Sequence, residues 1–517
     1  MQQIAKLILI CLFLTNIIVV YSQTPVRDPI REQITKLKSD YTLPELTQKQ
    51  MYEDFDYFVS IIKNCNPQYP VIKVITGYDM IEQILPLRNK IEDAKTTFEF
   101  IRIIKTALSY VLDGHCRLGI NLWYHRYGIY REEVNLLGLT DQDFAYMFHY
   151  QDSVFRKHQP RLNFCYSDGK YCLKNTTTFY FKGDSIQIPS GSEVVLYNNQ
   201  PVAEYIHDSV RTYYSCWDNE RKKFYARKID IKNELTKMRF LVNNKSVDLN
   251  FSHFKEDERI FDMNKFMQIH VQHFQQDSLL YIRLPLMSAD TSKMKEQILQ
   301  YKQYPIKTVM VDIRENYGGN DMIWEFLLSL MGGDSIRFHS SLIVNDEPEV
   351  AKRYPEYTTQ RAWQMLKVDK PFIVIDDEQS VIENAKENLD YKGIIYILTD
   401  EEIFSSAGGF ASLSKRNERI KTVGIPTGVY NGRGATPNAF VLPNSRLPFI
   451  LSITLDDANI SVPIDFLHDY VSYPLSPSMN YFKYYHNPQR PYEIDEKAMY
   501  EHDEIFKKTL EIIKNEK

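Results

Sequence analysis

Two adjacent hydroxyls, Ser405 and Ser406, separate an apolar run from a patch of very small residues in the stretch GIIYILTDEEIFSSAGGFAS, residues 393–412. The β-branched run Ile394 to Leu398 predicts a buried strand that stops at Thr399-Asp400. Ala407-Gly408-Gly409 predict a tightly packed helix start. A serine so placed stands at the carboxyl end of a strand and at a helix N-terminus. Backbone N–H groups and the helix dipole then face whatever the hydroxyl attacks. The plainer alternative is a helix cap, because serine is among the preferred N-cap residues.

Three further motifs carry chemistry. In TVMVDIRENYGGND, Thr308 to Asp321, an apolar strand ends in Asp312-Ile313-Arg314 and a turn follows with Gly318-Gly319. Paired glycines allow close backbone approach to a ligand, with N–H groups pointing outward. Otherwise they make an ordinary strand-to-helix turn, and Asp312 and Arg314 brace it by pairing with each other. Asp113-Gly114-His115 places an imidazole on a loop. A serine hydroxyl needs a base, and histidine titrates near neutrality. Gly424 to Gly434, GIPTGVYNGRG, is a glycine-rich strand exit able to line the same cleft or to serve as a plain loop.

The elements that must position these residues follow from periodicity. Apolar faces at helical spacing run through Met51, Phe55, Phe58 and Ile62, through Met80, Ile84 and Ile91, and through Phe98, Ile101, Ile104, Leu108 and Val111. Asp113-Gly114 reads as the terminator of the third helix. From about Asn121 to Phe266 short strand-like runs alternate with turns. The clearest is SEVVLYNNQPVAEYI, Ser192 to Ile206, a strand, an Asn-Asn turn and a short helix opened by Pro201. From about Gln268 strands and helices alternate, which argues for an α/β layer with a buried sheet. Residues 331–391 read as a less regular insertion. Met499, Ile505, Phe506, Leu510 and Ile513 predict an amphipathic C-terminal helix.

Composition sets the outer limits. The chain has 517 residues, 44% of them hydrophobic and 25% charged, with a formal net charge of −5. That is globular, with material for about two to four domains. Its charge argues against nucleic-acid binding and against a polybasic membrane surface. Lys6 followed by the apolar run Leu7 to Val20 reads as a signal peptide, residues 1–22, cut before Gln23. The run is short for a membrane span and Asn16 interrupts it. The mature chain is therefore expected to be exported, without an integral membrane span. Of the six cysteines, Cys11 lies in the leader. Cys165 and Cys172 flank an Asp168-Gly169 hairpin turn and are placed for a disulfide in an oxidising compartment. No Cys/His cluster has zinc spacing, and no cofactor is called for.

Taken together and in order, the motifs resemble those of the C-terminal processing (tail-specific) serine peptidases, in the branch similar to the tricorn protease core, over roughly Asp40 to Asp469. DIRENYGGN matches that family's strand-and-glycine motif, with Glu315 where glycine is usual. IFSSAGGFA matches its nucleophile turn, DGHC its helix-end histidine, and SEVVLYNNQPVAEYI the end of its PDZ-like module. The resemblance implies a multidomain α+β fold. Its parts are an N-terminal helical domain (23–120), a small β-rich PDZ-like module (121–266), an α/β catalytic domain of the ClpP/crotonase-like type (267–475, insertion at 331–391) and a C-terminal tail and helix (476–517). It implies Ser406 as nucleophile, preferred over Ser405 because Ala-Gly follows it. It also implies His115 as general base and an oxyanion hole of Gly319 and Ala407 N–H groups beside Gly318. Such donors contribute about 3 kcal/mol to the transition state. Asp465 is the candidate to orient His115, with Asp457 as the other choice.

One departure decides between two functions. Relatives with a Ser–Lys dyad carry the lysine in the loop after the nucleophile helix, where this chain has Tyr430, Asn431 and Arg433. Arginine does not deprotonate to act as a base. Either His115 is the base of a serine peptidase acting on peptide or protein substrates, or the chain is a catalytically silent peptide- or ligand-binding protein on the same scaffold. An α/β-hydrolase elbow, Gly-x-Ser-x-Gly, is excluded by Phe404 two residues before Ser406.

Overall fold

A computed structural model describes residues 29–119, 137–155, 160–209, 215–231, 235–257, 262–362, 371–426, 437–458, 460–467, 471–490 and 492–516. The leader at 1–22 and the loop residues Tyr430, Asn431 and Arg433 lie outside them.

The N-terminal block is helical. Helix α1 (Gln48–Cys65) is closed by a Thr47–Gln50 capping box, and α2 (Thr97–Leu108) by the Thr96 side chain. The helix α2 ends at Leu108, five residues before the expected Asp113 terminator. Asp113 and His115 thus share one loop. Past them, Arg117–Leu118 pairs antiparallel with the buried strand Pro448–Ser452, in register Arg117↔Ile450. Phe58 of α1 packs edge-on against Phe449 of that strand, with ring centroids 5.1 Å apart. This pairing ties the histidine loop into a three-stranded sheet with Pro448–Ser452 and Pro437–Val441.

The β-rich region forms a seven-stranded sheet. Its main path runs through β1 (Arg161–Ser167), β2 (Lys170–Leu173), β3 (Glu193–Tyr197), β4 (Lys228–Asp230), β5 (Thr236–Val242) and β6 (Lys245–Phe251), in the order β4-β1-β2-β3-β5-β6. Cys165 and Cys172 face each other in register across β1 and β2, and both are buried free thiols rather than the expected disulfide.

The central layer is a six-stranded sheet. Its strands are β7 (His270–Phe274), β8 (Leu279–Arg283), β9 (Thr308–Asp312), β12 (Ile395–Thr399), β13 (Ile420–Gly424) and β14 (Tyr473–Pro474), in the spatial order β7-β8-β9-β12-β13-β14. Only β7 is antiparallel to its neighbour; the other pairings are parallel. Strand side chains alternate between two faces. Leu280, Ile282, Val309, Val311, Ile395 and Ile397 pack under helices α3 (Thr291–Leu299), α4 (Asp321–Ser329) and α5 (Ser406–Ser412). Tyr281, Met310, Tyr396 and Leu398 pack under the C-terminal helices. With both faces covered, the strands read as unbroken apolar runs.

Two expectations need correction. The stretch 331–391 is not irregular. It holds β10 (Ile336–Asn345) and β11 (Phe372–Ile382), a long antiparallel ribbon. Its polar cross-strand partners, such as Ser340 with Glu378 and Ser341 with Asp377, hide the strand period from a hydrophobic pattern. The C-terminal helix is two, Glu496–His502 and α6 (Glu504–Asn515), broken at Asp503. Asp503 caps α6 and holds Arg314 through two 2.9 Å contacts.

Candidate active site

The loop after β12 delivers the two serines in different settings. Ser405 has φ 57° and ψ −122°, a left-handed conformation for a residue that is not glycine. Such backbone costs on the order of 1–3 kcal/mol and persists only when its surroundings fix it. Here Phe404 N–H donates to Asn316 O at 3.0 Å, and Gly409 N–H to Ser405 O at 3.0 Å. The strain turns Ser405 Oγ outward to 3.1 Å from His115 Nε2. Ser406 begins α5 and is 6% exposed, with its hydroxyl against the Asp321 carboxyl.

His115 is braced from both sides. Its ring packs on Phe404, with centroids 4.8 Å apart. Its Nδ1 stands 3.8 Å from Asp113 Oδ1, which also accepts the His115 backbone N–H at 2.9 Å. Asp113 is 1% exposed. Burial lowers the His115 pKa below the ordinary histidine value; Asp113 opposes that shift and Arg117 adds to it. The imidazole is therefore neutral, and able to accept a proton, at neutral pH.

The amides sort themselves by what they already bond. Gly318 N–H donates to Asn316 Oδ1 at 2.8 Å, and Ala407 N–H to Phe404 O at 3.2 Å. Neither is available to a substrate oxyanion. The N–H groups of Gly319 and Ser406 have no acceptor among the described residues. Gly318 fits where nothing larger does. It has φ 88°, and a Cβ there would stand 2.4 Å from Phe404 O and 2.9 Å from Ser405 Cβ.

The structure thus brings together His115, Ser405, Gly319 and the Ser406 amide. It leaves Asp465 elsewhere. That carboxylate accepts Lys415 Nζ at 2.5 Å and the Ser461 and Val462 N–H groups at 2.9 Å. Asp457 is engaged with Ser341 and Arg361. Asp113, passed over as a helix terminator, is the carboxylate that stands beside the His115 ring, 3.8 Å from Nδ1; its place two residues before His115 was the available signal. Asp312 and Arg314 pair with each other at 2.8 Å, as the plain reading expected. Glu315 has φ 62°, which accounts for glycine being usual there. Its N–H donates to Asp400 at 3.1 Å, and its carboxylate lies 3.7 Å from Arg283 and 3.8 Å from Arg490. From the β-rich region, Arg227 Nη1 reaches Glu402 Oε1 at 2.8 Å, three residues before Ser405.

A hydroxyl beside a neutral imidazole, with two free amides next to it, can attack a carbonyl and hold the resulting oxyanion, the chemistry of serine hydrolases. Residues 278–447 match the family model described as Peptidase family S41, and that part of the chain is similar to this peptidase family. Among solved structures it is similar to mature CPAF complexed with lactacystin, at 11% identity and TM-score 0.53, covering 90% of this chain and 99% of that one. It is also similar to the CPAF s499a mutant, at 11% identity and TM-score 0.51, over 84% and 94% of the two chains. At such identities the likeness speaks for the fold. Comparison with curated protein sequences gives no match.

Proposed function

We propose that this protein is an exported serine peptidase that cleaves peptide bonds through an acyl-enzyme on Ser405. The observation that carries this reading is the 3.1 Å approach of Ser405 Oγ to His115 Nε2. His115 takes the Ser405 proton as Oγ attacks the peptide carbonyl. The oxyanion sits between the N–H groups of Gly319 and Ser406. His115 then gives its proton to the departing amine, and water enters by the reverse sequence. Asp113 holds the imidazole in its tautomer and stabilises the imidazolium that forms, the role of the acid in a catalytic triad. Ser406 supplies its amide rather than its hydroxyl. The same geometry weighs against a silent binding protein, which has no need of a strained serine beside a neutral histidine.

Labelling with a fluorophosphonate probe, followed by peptide mapping, tests the assignment. A modified Ser405 is expected, and no label on wild-type protein contradicts it. Export rests on the leader at residues 1–22. Protein recovered outside the cytoplasm should begin at Gln23, and full-length protein confined to the cytosol would refute export.

A further inference from the structure

Glu315, just past β9, holds a left-handed backbone with φ 62°. Glycine adopts that conformation freely, and any other residue is strained there and stays only when its surroundings fix it. The Glu315 carboxylate supplies such a fixture. Its Oε2 stands 3.7 Å from Arg283 Nη2 and 3.8 Å from Arg490 Nη2, and its Oε1 stands 3.7 Å from His486 Nδ1. The three partner side chains are at least nine-tenths buried, so salt screens these pairs weakly.

Two of the partners come from the C-terminal segment. His486 closes the helix Met479–Tyr485, its backbone N–H donating to Phe482 O at 3.0 Å and its ring stacking on Phe482. Arg490 lies with its guanidinium 3.9 Å from the centre of the Tyr485 ring. The same segment takes the preceding residue with the opposite charge. Arg314 donates to both carboxylate oxygens of Asp503 at 2.9 Å and to Tyr481 Oη at 3.2 Å. A base and an acid adjacent in the chain thus meet an acid and a base on one segment.

This grip holds the turn that carries an oxyanion donor. Glu315 N–H donates to Asp400 at 3.1 Å, and Asn316 O accepts Phe404 N–H at 3.0 Å, so the turn starts against the nucleophile loop. At its far end Met287 N–H donates to Gly318 O at 3.0 Å, and Met287 O accepts Asn320 N–H at 2.8 Å. In that parallel bridge the intervening Gly319 N–H faces away from Met287. The bend at Glu315 sets the direction in which the turn leaves the strand.

We propose that Glu315 is a positioning residue for the oxyanion hole: held by Arg283, His486 and Arg490, its carboxylate fixes the bend that aims Gly319 N–H at the substrate carbonyl. The C-terminal segment acts on the chemistry through this turn. The inference rests on the peptidase reading, with Ser405 as nucleophile and Gly319 as oxyanion donor. A plain structural tie would fix the C-terminal helices to the sheet and leave the rate per folded molecule untouched.

The test is the kinetics of fluorophosphonate labelling, with the labelled fraction at exhaustion counting the folded sites. In that reaction Ser405 Oγ bonds to phosphorus, fluoride leaves, His115 takes the serine proton, and the phosphonyl oxygen occupies the oxyanion hole. Glu315→Gly removes the carboxylate and the backbone strain together. It should reach full labelling at a maximal rate at least about tenfold below wild type, part of the roughly 10²- to 10³-fold that a lost oxyanion donor costs, with the half-saturating probe concentration unchanged. His486→Ala/Arg490→Ala should slow labelling to a similar degree, and adding Glu315→Gly to it should slow it little further, because both remove one interaction. A wild-type rate in Glu315→Gly, a loss confined to the half-saturating concentration, or losses that multiply in the combined variant overturn the positioning role and leave the peptidase reading standing. No label on wild type refutes that reading and this inference together. If Glu315→Gly does not reach full labelling, His486→Ala/Arg490→Ala decides by the same rate: slowed labelling of all sites supports the role, and an unchanged rate overturns it.

Discussion

The imidazole of His115 and the hydroxyl of Ser405, 290 positions apart in the chain, stand 3.1 Å from each other. The histidine loop runs into the strand pairing of Arg117 with Ile450, and the left-handed backbone of Ser405 presents its hydroxyl to the ring.

Asp113 should matter to chemistry more than to stability. Asp113→Asn keeps the shape but leaves the imidazole poorly oriented, and kcat should fall by roughly 10²- to 10⁴-fold. Steady-state kinetics beside an unchanged circular dichroism spectrum checks this. A loss under threefold would remove Asp113 from the account.

The pH profile carries a sign. The His115 pKa is lowered, chiefly by burial, from the ordinary 6.5, and only the neutral ring accepts the serine proton. The acidic limb of kcat/KM should have its midpoint below 6.5, with activity lost as pH falls through it. A midpoint above 7 would contradict the described environment.

Gly318→Ala should abolish activity. The added methyl would lie 2.4 Å from Phe404 O and 2.9 Å from Ser405 Cβ, at a φ of 88°. The nucleophile turn must shift, and a loss of about 10²-fold or more is expected from displacement of the attacking atom by about 1 Å. Wild-type turnover in this variant would show that the turn is not held as described.

Acid should weaken the sheet end that carries the glycine turn. Burial alone would raise the carboxyls of Asp312 and Glu315. The Arg314 guanidinium brings Asp312 down to about 2, and His486 with Arg490 brings Glu315 down to about 2. Folded values below the unfolded 3.8 and 4.5 mean stabilisation present above about pH 4.5 and lost as pH falls toward 2. Denaturant titrations across that window should show falling stability in wild type, with a smaller fall in Asp312→Asn/Glu315→Gln. Equal slopes would refute the assignment.

Much of the six-stranded sheet was legible because buried parallel strands are apolar on both faces, as Ile395 to Leu398 show. The strand, the glycine turn and the helix-end histidine were each visible locally. The ribbon of β10 and β11 was not, since its polar cross-strand pairs carry no hydrophobic period. The choice between the serines was hidden for another reason. Side-chain type does not report the φ of 57° that points Ser405, rather than Ser406, at His115. Asp113 was overlooked because Asp-Gly reads as a helix stop, whereas α2 had already ended at Leu108.

The most direct measurement compares Ser405→Ala and Ser406→Ala in single-turnover hydrolysis and in fluorophosphonate labelling. Ser405→Ala should lose the label and at least roughly 10⁴-fold in rate, while Ser406→Ala keeps the label on Ser405 and most of its rate. Label and rate that persist in Ser405→Ala and vanish in Ser406→Ala would contradict the account at its centre.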